Sequence, residues 1–149
     1  MTENPVVHAT FTIEREYPAA PDRVFAAWSD PATKARWFAG PDSRHELDFR
    51  VGGRELAGGT HDGTELTFET TYQEIVPGER IVYTSALRAD DTVTTISLTS
   101  VEFVAAEEGT RLVLTEHGAY LDGHEQPDWR EQGTRDQLDA LGKELAAAP

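Results

Sequence analysis

The five histidines, His8, His45, His61, His117 and His124, are the side chains best suited to move a proton near neutral pH or to ligate a metal. A metal centre needs three or so converging ligands, and the chain offers no HExxH, no Cys/His set and no tight ligand cluster, so neither a metal nor a cofactor is expected. His61-Asp62 falls in a turn and reads as a solvated loop. His45 shares a strand face with Leu47 and Phe49, and His117 ends a strand beside Glu116, so each could present an imidazole at a cavity mouth. A histidine satisfied by a backbone group at a strand end is the simpler account of both. Arg50 could anchor an anion, but Asp48 lies two residues away on the same face and offers a plain ion pair. With no recognisable catalytic motif, no catalytic residue is assigned.

Aromatic residues suggest binding chemistry more than catalysis. Trp28, Trp37, Phe38, Phe49, Phe68, Tyr72, Tyr83, Phe103 and Trp129 are numerous for 149 residues. Most must be core, yet rings close to a helix can wall a cavity while the hydroxyl tips of Tyr72 and Tyr83 fix a ligand in it. Gly133 stands inside a helical pattern one turn from Trp129, where it costs roughly 1 kcal/mol of helix stability; it therefore predicts close backbone approach or space left for a ligand. Phe49, Tyr72, Tyr83 and Trp129 are the first choices for a pocket lining, with Trp37, His45, His117 and Gly133 beside them.

These side chains need elements to hold them. Phe11, Ile13 and Tyr17 alternate in a first strand that Pro18 ends. Pro21 opens a short helix with Val24, Phe25 and Trp28 on one face, and Asp30 caps a second that Pro31 begins and that reaches Trp37 and Phe38. His45, Leu47, Phe49 and Val51 alternate up to Gly52-Gly53, and a weak, glycine-rich strand runs from Arg54 to a turn at His61-Asp62-Gly63. Stronger strands follow over Leu66 to Tyr72, Arg80 to Leu87, Thr92 to Val104 and Thr110 to His117, with a loop over Gly118 to Pro127. The apolar phase of Thr92 to Val104 switches between Leu98 and Val101, which predicts a bulge near Thr99-Ser100.

The last helix, Gln126 to Ala147, is the only long one. Leu138, Leu141 and Leu145 recur at i, i+3 and i+7 with Trp129 upstream on roughly the same side, while Asp136, Asp139, Lys143 and Glu144 take the other faces. That stripe must be buried, and the sheet is the large apolar partner available. The expected fold is α+β: a curved antiparallel sheet of six to seven strands, two short helices after the first strand, and a long C-terminal helix across the concave face. One domain spans 1–149, with 1–9 a flexible N-terminus.

Charge narrows the functional classes. Twenty-seven acidic against 13 basic residues give a formal charge of −14, which repels phosphate backbones and anionic membrane surfaces, so nucleic acid and membrane are not expected partners. The absence of cysteine excludes disulfides and thiolate chemistry, and no apolar run approaches a membrane span or a secretory signal. A cytoplasmic location is the default expectation.

The stretches PAAPDRVFAAWSDPATKARWF, DFRVGGRE, YQEIVPGERIVYT, VEFVAAEEGTRLVLTEHGAYLDG and REQGTRDQLDALGKEL, in this order, resemble bacterial members of the activator-of-Hsp90-ATPase homologue family. That family lies within the START-like (SRPBCC) superfamily, with its polyketide cyclases and birch-pollen-type ligand carriers. The resemblance implies a helix-grip fold and a small apolar or aromatic molecule held between sheet and C-terminal helix. Some relatives carry Gly-Trp where this chain has Gly133-Thr134. An alternative is a cyclase, dehydratase or hydrolase using Tyr, His or Arg in the same pocket. A co-chaperone-like interaction domain is a third reading, for which the sequence identifies no chaperone-facing surface; a homodimer stays open as a partner.

Overall fold

The computed structural model of the chain describes residues 5–40 and 42–147. Strands β1 (Val6–Tyr17), β2 (Arg44–Leu47), β3 (Arg54–His61), β4 (Thr64–Val76), β5 (Arg80–Ala89), β6 (Thr92–Ala106) and β7 (Gly109–Leu121) form one antiparallel sheet in the order β1-β7-β6-β5-β4-β3-β2. Helices α1 (Pro21–Ser29) and α2 (Pro31–Lys34) follow β1, and α2 continues into a wider π-helical turn, Ala35–Ala39. Helix α3 (Pro127–Ala147) ends the described chain. This is the helix-grip architecture, an α+β fold of seven strands and a long C-terminal helix. Among the described residues no helix is long and apolar enough to cross a membrane.

Local chemistry sets the two short helices. Pro21 stands in the first turn of α1, where a missing N–H costs nothing. Asp30 caps α2: its carboxylate accepts from the Thr33 amide at 3.0 Å and from the Thr33 hydroxyl at 2.6 Å. Gly40, at φ 86°, turns the chain out of the π-helical segment.

The leucine stripe of α3 is buried: Leu138 is 1% exposed, Leu141 0% and Leu145 6%. Full burial of each such side chain stabilises the fold by about 1.5–3 kcal/mol. The helix is pinned at several points: the Tyr17 hydroxyl donates to the Leu138 carbonyl at 2.7 Å, Gln137 Nε2 to the Phe38 carbonyl at 3.1 Å, and Arg23 to the Leu145 carbonyl. Close backbone approach occurs at Gly142, where an added Cβ would lie 3.3 Å from the Tyr17 ring, and not at Gly133.

Several expectations are corrected. A flexible terminus over 1–9 gives way to a strand from Val6, because β7 continues to Leu121 and pairs with it; the same extension replaces the start of the loop expected at Gly118. Residues 1–4 and Pro41 lie outside the described residues. Strand β2 stops at Leu47, so Phe49 and Val51 follow it in a turn region, and Arg50 Nε meets the Asp48 carboxylate at 2.8 Å as the plain ion pair expected.

No bulge occurs at Thr99-Ser100, since the β6–β7 register runs unbroken from Thr95–Tyr120 to Ala106–Gly109; the β5–β6 register shifts instead between Leu87 and Arg88, at Thr94. The inward residues of β6 are Thr95, Ser97, Thr99, Val101 and Phe103, while Ile96 and Leu98 are exposed. The apparent switch of phase is thus a change of interior chemistry, from apolar to hydroxyl-bearing.

Candidate functional site

Where α3 starts, the helix and sheet part and leave a cavity of about 460 Å³. Its apolar walls come from Trp28, Trp37 and Phe38 of the helical segments, Phe68, Leu87 and Leu114 of the sheet, and Leu138 of α3. Trp37 is fixed by its Nε1, which donates to the Ala27 carbonyl at 2.9 Å, and its ring meets Trp28 edge-on at 4.9 Å. Trp129 and His61 stand at the mouth, and Trp129 is 64% exposed. Apart from its chain neighbours and its own helix's backbone, nothing lies within 4 Å of a Cβ built on Gly133, so this exposed glycine leaves open space at the cavity's edge.

One end of the cavity is polar. Arg130, on α3, is buried and stands over the Phe68 ring, its guanidinium carbon 5.1 Å from the ring centre. Its Nε donates to Glu116 Oε2 at 3.0 Å and its Nη2 to Ser97 Oγ at 3.2 Å, while Nη1 stands 3.5 Å from Glu125 Oε1. Thr99 donates to Glu116 Oε1 at 2.9 Å and Thr95 to Glu125 Oε1 at 2.5 Å, so the hydroxyl-bearing face of β6 supports both carboxylates. Burial opposes the charge on Arg130, but Glu116 and Glu125 outweigh it and raise its pKa. Burial pushes the Tyr83 hydroxyl up as well, with Glu116 and Glu55 adding to the effect, so Tyr83 stays protonated at the cavity wall.

A second polar cluster lies beneath the aromatic wall. Lys34 Nζ donates to Glu55 Oε1 at 2.7 Å and to the Tyr72 hydroxyl at 3.3 Å; Tyr72 donates to Glu55 Oε1 at 2.5 Å, and His45 Nε2 lies 2.8 Å from Glu55 Oε2. Lys34 and Glu55 are each 1% exposed. The ammonium also sits 4.5 Å from the centre of the Phe38 ring and 5.1 Å from that of Trp28, where ring quadrupoles favour a cation. Burial would raise the Glu55 carboxyl, but the Lys34 charge and the bonds from His45, Lys34 and Tyr72 hold it down at about 2. Burial lowers the pKa of Lys34 against the pull of Glu55. Tyr72 is driven up by burial and by the adjacent carboxylate. The cluster ties α2 to β2, β3 and β4 and so fixes the rings that wall the cavity.

Of the eight residues singled out in the sequence, Tyr83, Trp129, Trp37 and Gly133 line the cavity. Tyr72 and His45 belong to the buried Lys34–Glu55 cluster instead. Phe49 is packed between Phe25 and Tyr72, its ring centre 5.7 Å and 5.0 Å from theirs. His117 points to the outer face of the sheet, where its Nδ1 lies 2.9 Å from Thr10 Oγ1. Trp129 is off the leucine stripe: at about 100° per residue it falls about 180° from Leu138, whereas Arg130 falls about 20° from Leu141. Arg130, Glu116 and Glu125 were missed. A charge on an apolar helix stripe, and a carboxylate two residues beyond Leu114 on the inward phase of β7, were the signals that would have found the first two.

Residues 18–146 match the family of Activator of Hsp90 ATPase homolog 1-like proteins. The chain belongs to this family. An uncharacterized protein of Rhizobium leguminosarum has a similar structure, with a TM-score of 0.94 and 38% identity over 99% of this chain and 100% of that one. The Mll3558 protein of Rhizobium loti is 44% identical, with a TM-score of 0.89 over 94% of this chain and 99% of its own. DynU16, from the dynemicin biosynthetic locus, shares the fold at 17% identity and a TM-score of 0.69, covering 92% of this chain and 47% of that one. No curated protein matches the chain in sequence.

Proposed function

We propose that this protein binds a small apolar or aromatic molecule in the cavity between sheet and C-terminal helix. The observation that carries the reading is the cavity itself: about 460 Å³, with Trp28, Trp37, Phe38 and Phe68 in its walls and the charged groups Arg130, Glu116 and Glu125 brought together in its lining. Those features match small-molecule sites, which commonly enclose about 300–1,000 Å³ and pair apolar walls with sparse polar groups. Membership of a family with the helix-grip fold supports the same reading.

Catalysis by a cyclase, dehydratase or hydrolase mechanism is the second reading, favoured by the convergence of Glu116, Glu125 and Arg130 at the cavity. In the described arrangement Arg130 is committed to its two carboxylate neighbours and Tyr83 holds its proton, so neither is poised for proton transfer.

All three tryptophans of the chain line the cavity, which makes indole emission a direct reporter. Titration with an environment-sensitive hydrophobic dye is expected to shift that emission. Trp129→Ala weakens binding by more than about 1 kcal/mol, the usual cost of truncating a large aromatic at a true contact, and Gly133→Phe blocks it by filling the space. Dye affinity unchanged in both variants would remove the cavity as the binding site. Native mass spectrometry of the purified protein reports any retained small molecule.

A further inference from the structure

The polar end of the cavity holds one cation and two carboxylates, and the cation is already spent. Arg130 gives Nε to Glu116 and Nη2 to Ser97, turns Nη1 towards Glu125 and stands over the Phe68 ring. Its side chain is 9% exposed. An incoming carboxylate would have to displace Glu116 or Glu125 from this guanidinium while remaining beside the displaced charge, and like-charge contact of that kind is costly.

The carboxylates, by contrast, keep capacity. An ionised carboxylate offers about four lone-pair sites. Glu116 uses one oxygen for Thr99 and the other for Arg130. Glu125 receives Thr95 and faces Arg130 through Oε1 alone, and among the described residues no hydrogen bond reaches its Oε2. At 15% its side chain is the most exposed of the three, and it lines the cavity. Trp129, whose ring carries neither Lys34 nor Arg130, adds a face that attracts cations, and the chain as a whole carries −14.

We propose that the cavity selects a cationic amphiphile, an aromatic or alicyclic amine whose ammonium meets Glu125 while its ring lies among Trp37, Phe38, Phe68 and Trp129. This inference rests on the small-molecule reading of the cavity. A monovalent cation brings the Arg130–Glu116–Glu125 group to neutrality, and an ammonium donates directly to the unused Glu125 oxygen.

Three probes of one shape test the selection: 1-naphthylmethylammonium, 1-naphthalenemethanol and 1-naphthoate, titrated calorimetrically at neutral pH into the wild type, Glu125→Gln and Gly133→Phe. The ammonium is expected to bind most tightly and the carboxylate least, with dissociation constants separated by about tenfold or more. Glu125→Gln removes most of the ammonium's advantage over the neutral alcohol, and Gly133→Phe abolishes binding of all three. If the ammonium survives Gly133→Phe, it is bound at the acidic surface and the selection falls. If the alcohol binds but the carboxylate is preferred, or Glu125→Gln leaves the ammonium's advantage intact, the charge selection is overturned while the cavity reading stands. Failure of all three probes to bind the wild type takes down both.

Discussion

Replacing Lys34 by methionine keeps a long apolar stem among Trp28, Trp37 and Phe38 but removes the charge that faces Glu55 at 2.7 Å. Both residues are 1% exposed, so Glu55 is left as a buried carboxylate with only Tyr72 and His45 as donors. Breaking a buried ion pair from one side costs about 3–5 kcal/mol. The Glu55 pKa falls from 4.5 to about 2 on folding. At about 1.4 kcal/mol per tenfold change in proton affinity, that is worth about 3 kcal/mol. The lowered pKa of Lys34 works against this gain at neutral pH, so the pair's net contribution is smaller than the figure for Glu55 alone.

In the wild type the contribution of Glu55 is complete above pH 4.5 and drains as the pH falls towards 2. In Lys34→Met burial dominates, the Glu55 carboxyl takes up its proton above its ordinary range, and the penalty shrinks on acidification. Urea denaturation followed by circular dichroism at pH 7 and pH 4 measures both. A large loss at pH 7 that diminishes at pH 4 is expected, with most of it recovered in Lys34→Met/Glu55→Gln, where the buried group is neutral and still accepts from Tyr72. A loss below about 1 kcal/mol at pH 7, or one independent of pH, refutes the account.

Leu141→Ala removes a side chain that is 0% exposed under α3 and is expected to cost about 2–5 kcal/mol in equilibrium denaturation; a cost under about 1 kcal/mol would contradict the stripe's role. Gly133→Ala meets nothing within 4 Å and improves helix propensity, so it stabilises the protein by about 0.5–1 kcal/mol, read as a raised urea midpoint; a lowered midpoint would show that the wall is less open than described.

The elements were legible in the sequence because they obey local rules. The Pro21 and Asp30-Pro31 starts, the i, i+3, i+7 leucines of α3, and the alternation in β1, β4 and β5 each follow from backbone geometry and the burial of apolar side chains. The functional interior does not obey them. Alternation equates inward with apolar, so the inward hydroxyls of Thr95, Ser97 and Thr99 mimic a bulge in β6, and the glycine-rich β3 gives Glu55 no phase at all. Lys34 and Glu55, 21 residues apart, and Glu116 and Arg130, 14 apart, are tolerable in a core only as partners. Which partners meet is set by sheet register and by the rotation of α3 about its own axis. A shift of one residue along the helix exchanges Arg130 for Trp129, which puts a guanidinium inside the cavity and an indole at its mouth. Periodicity read along one chain resolves a helical face no more finely than that single step, so the tertiary packing alone decided the chemistry of the site.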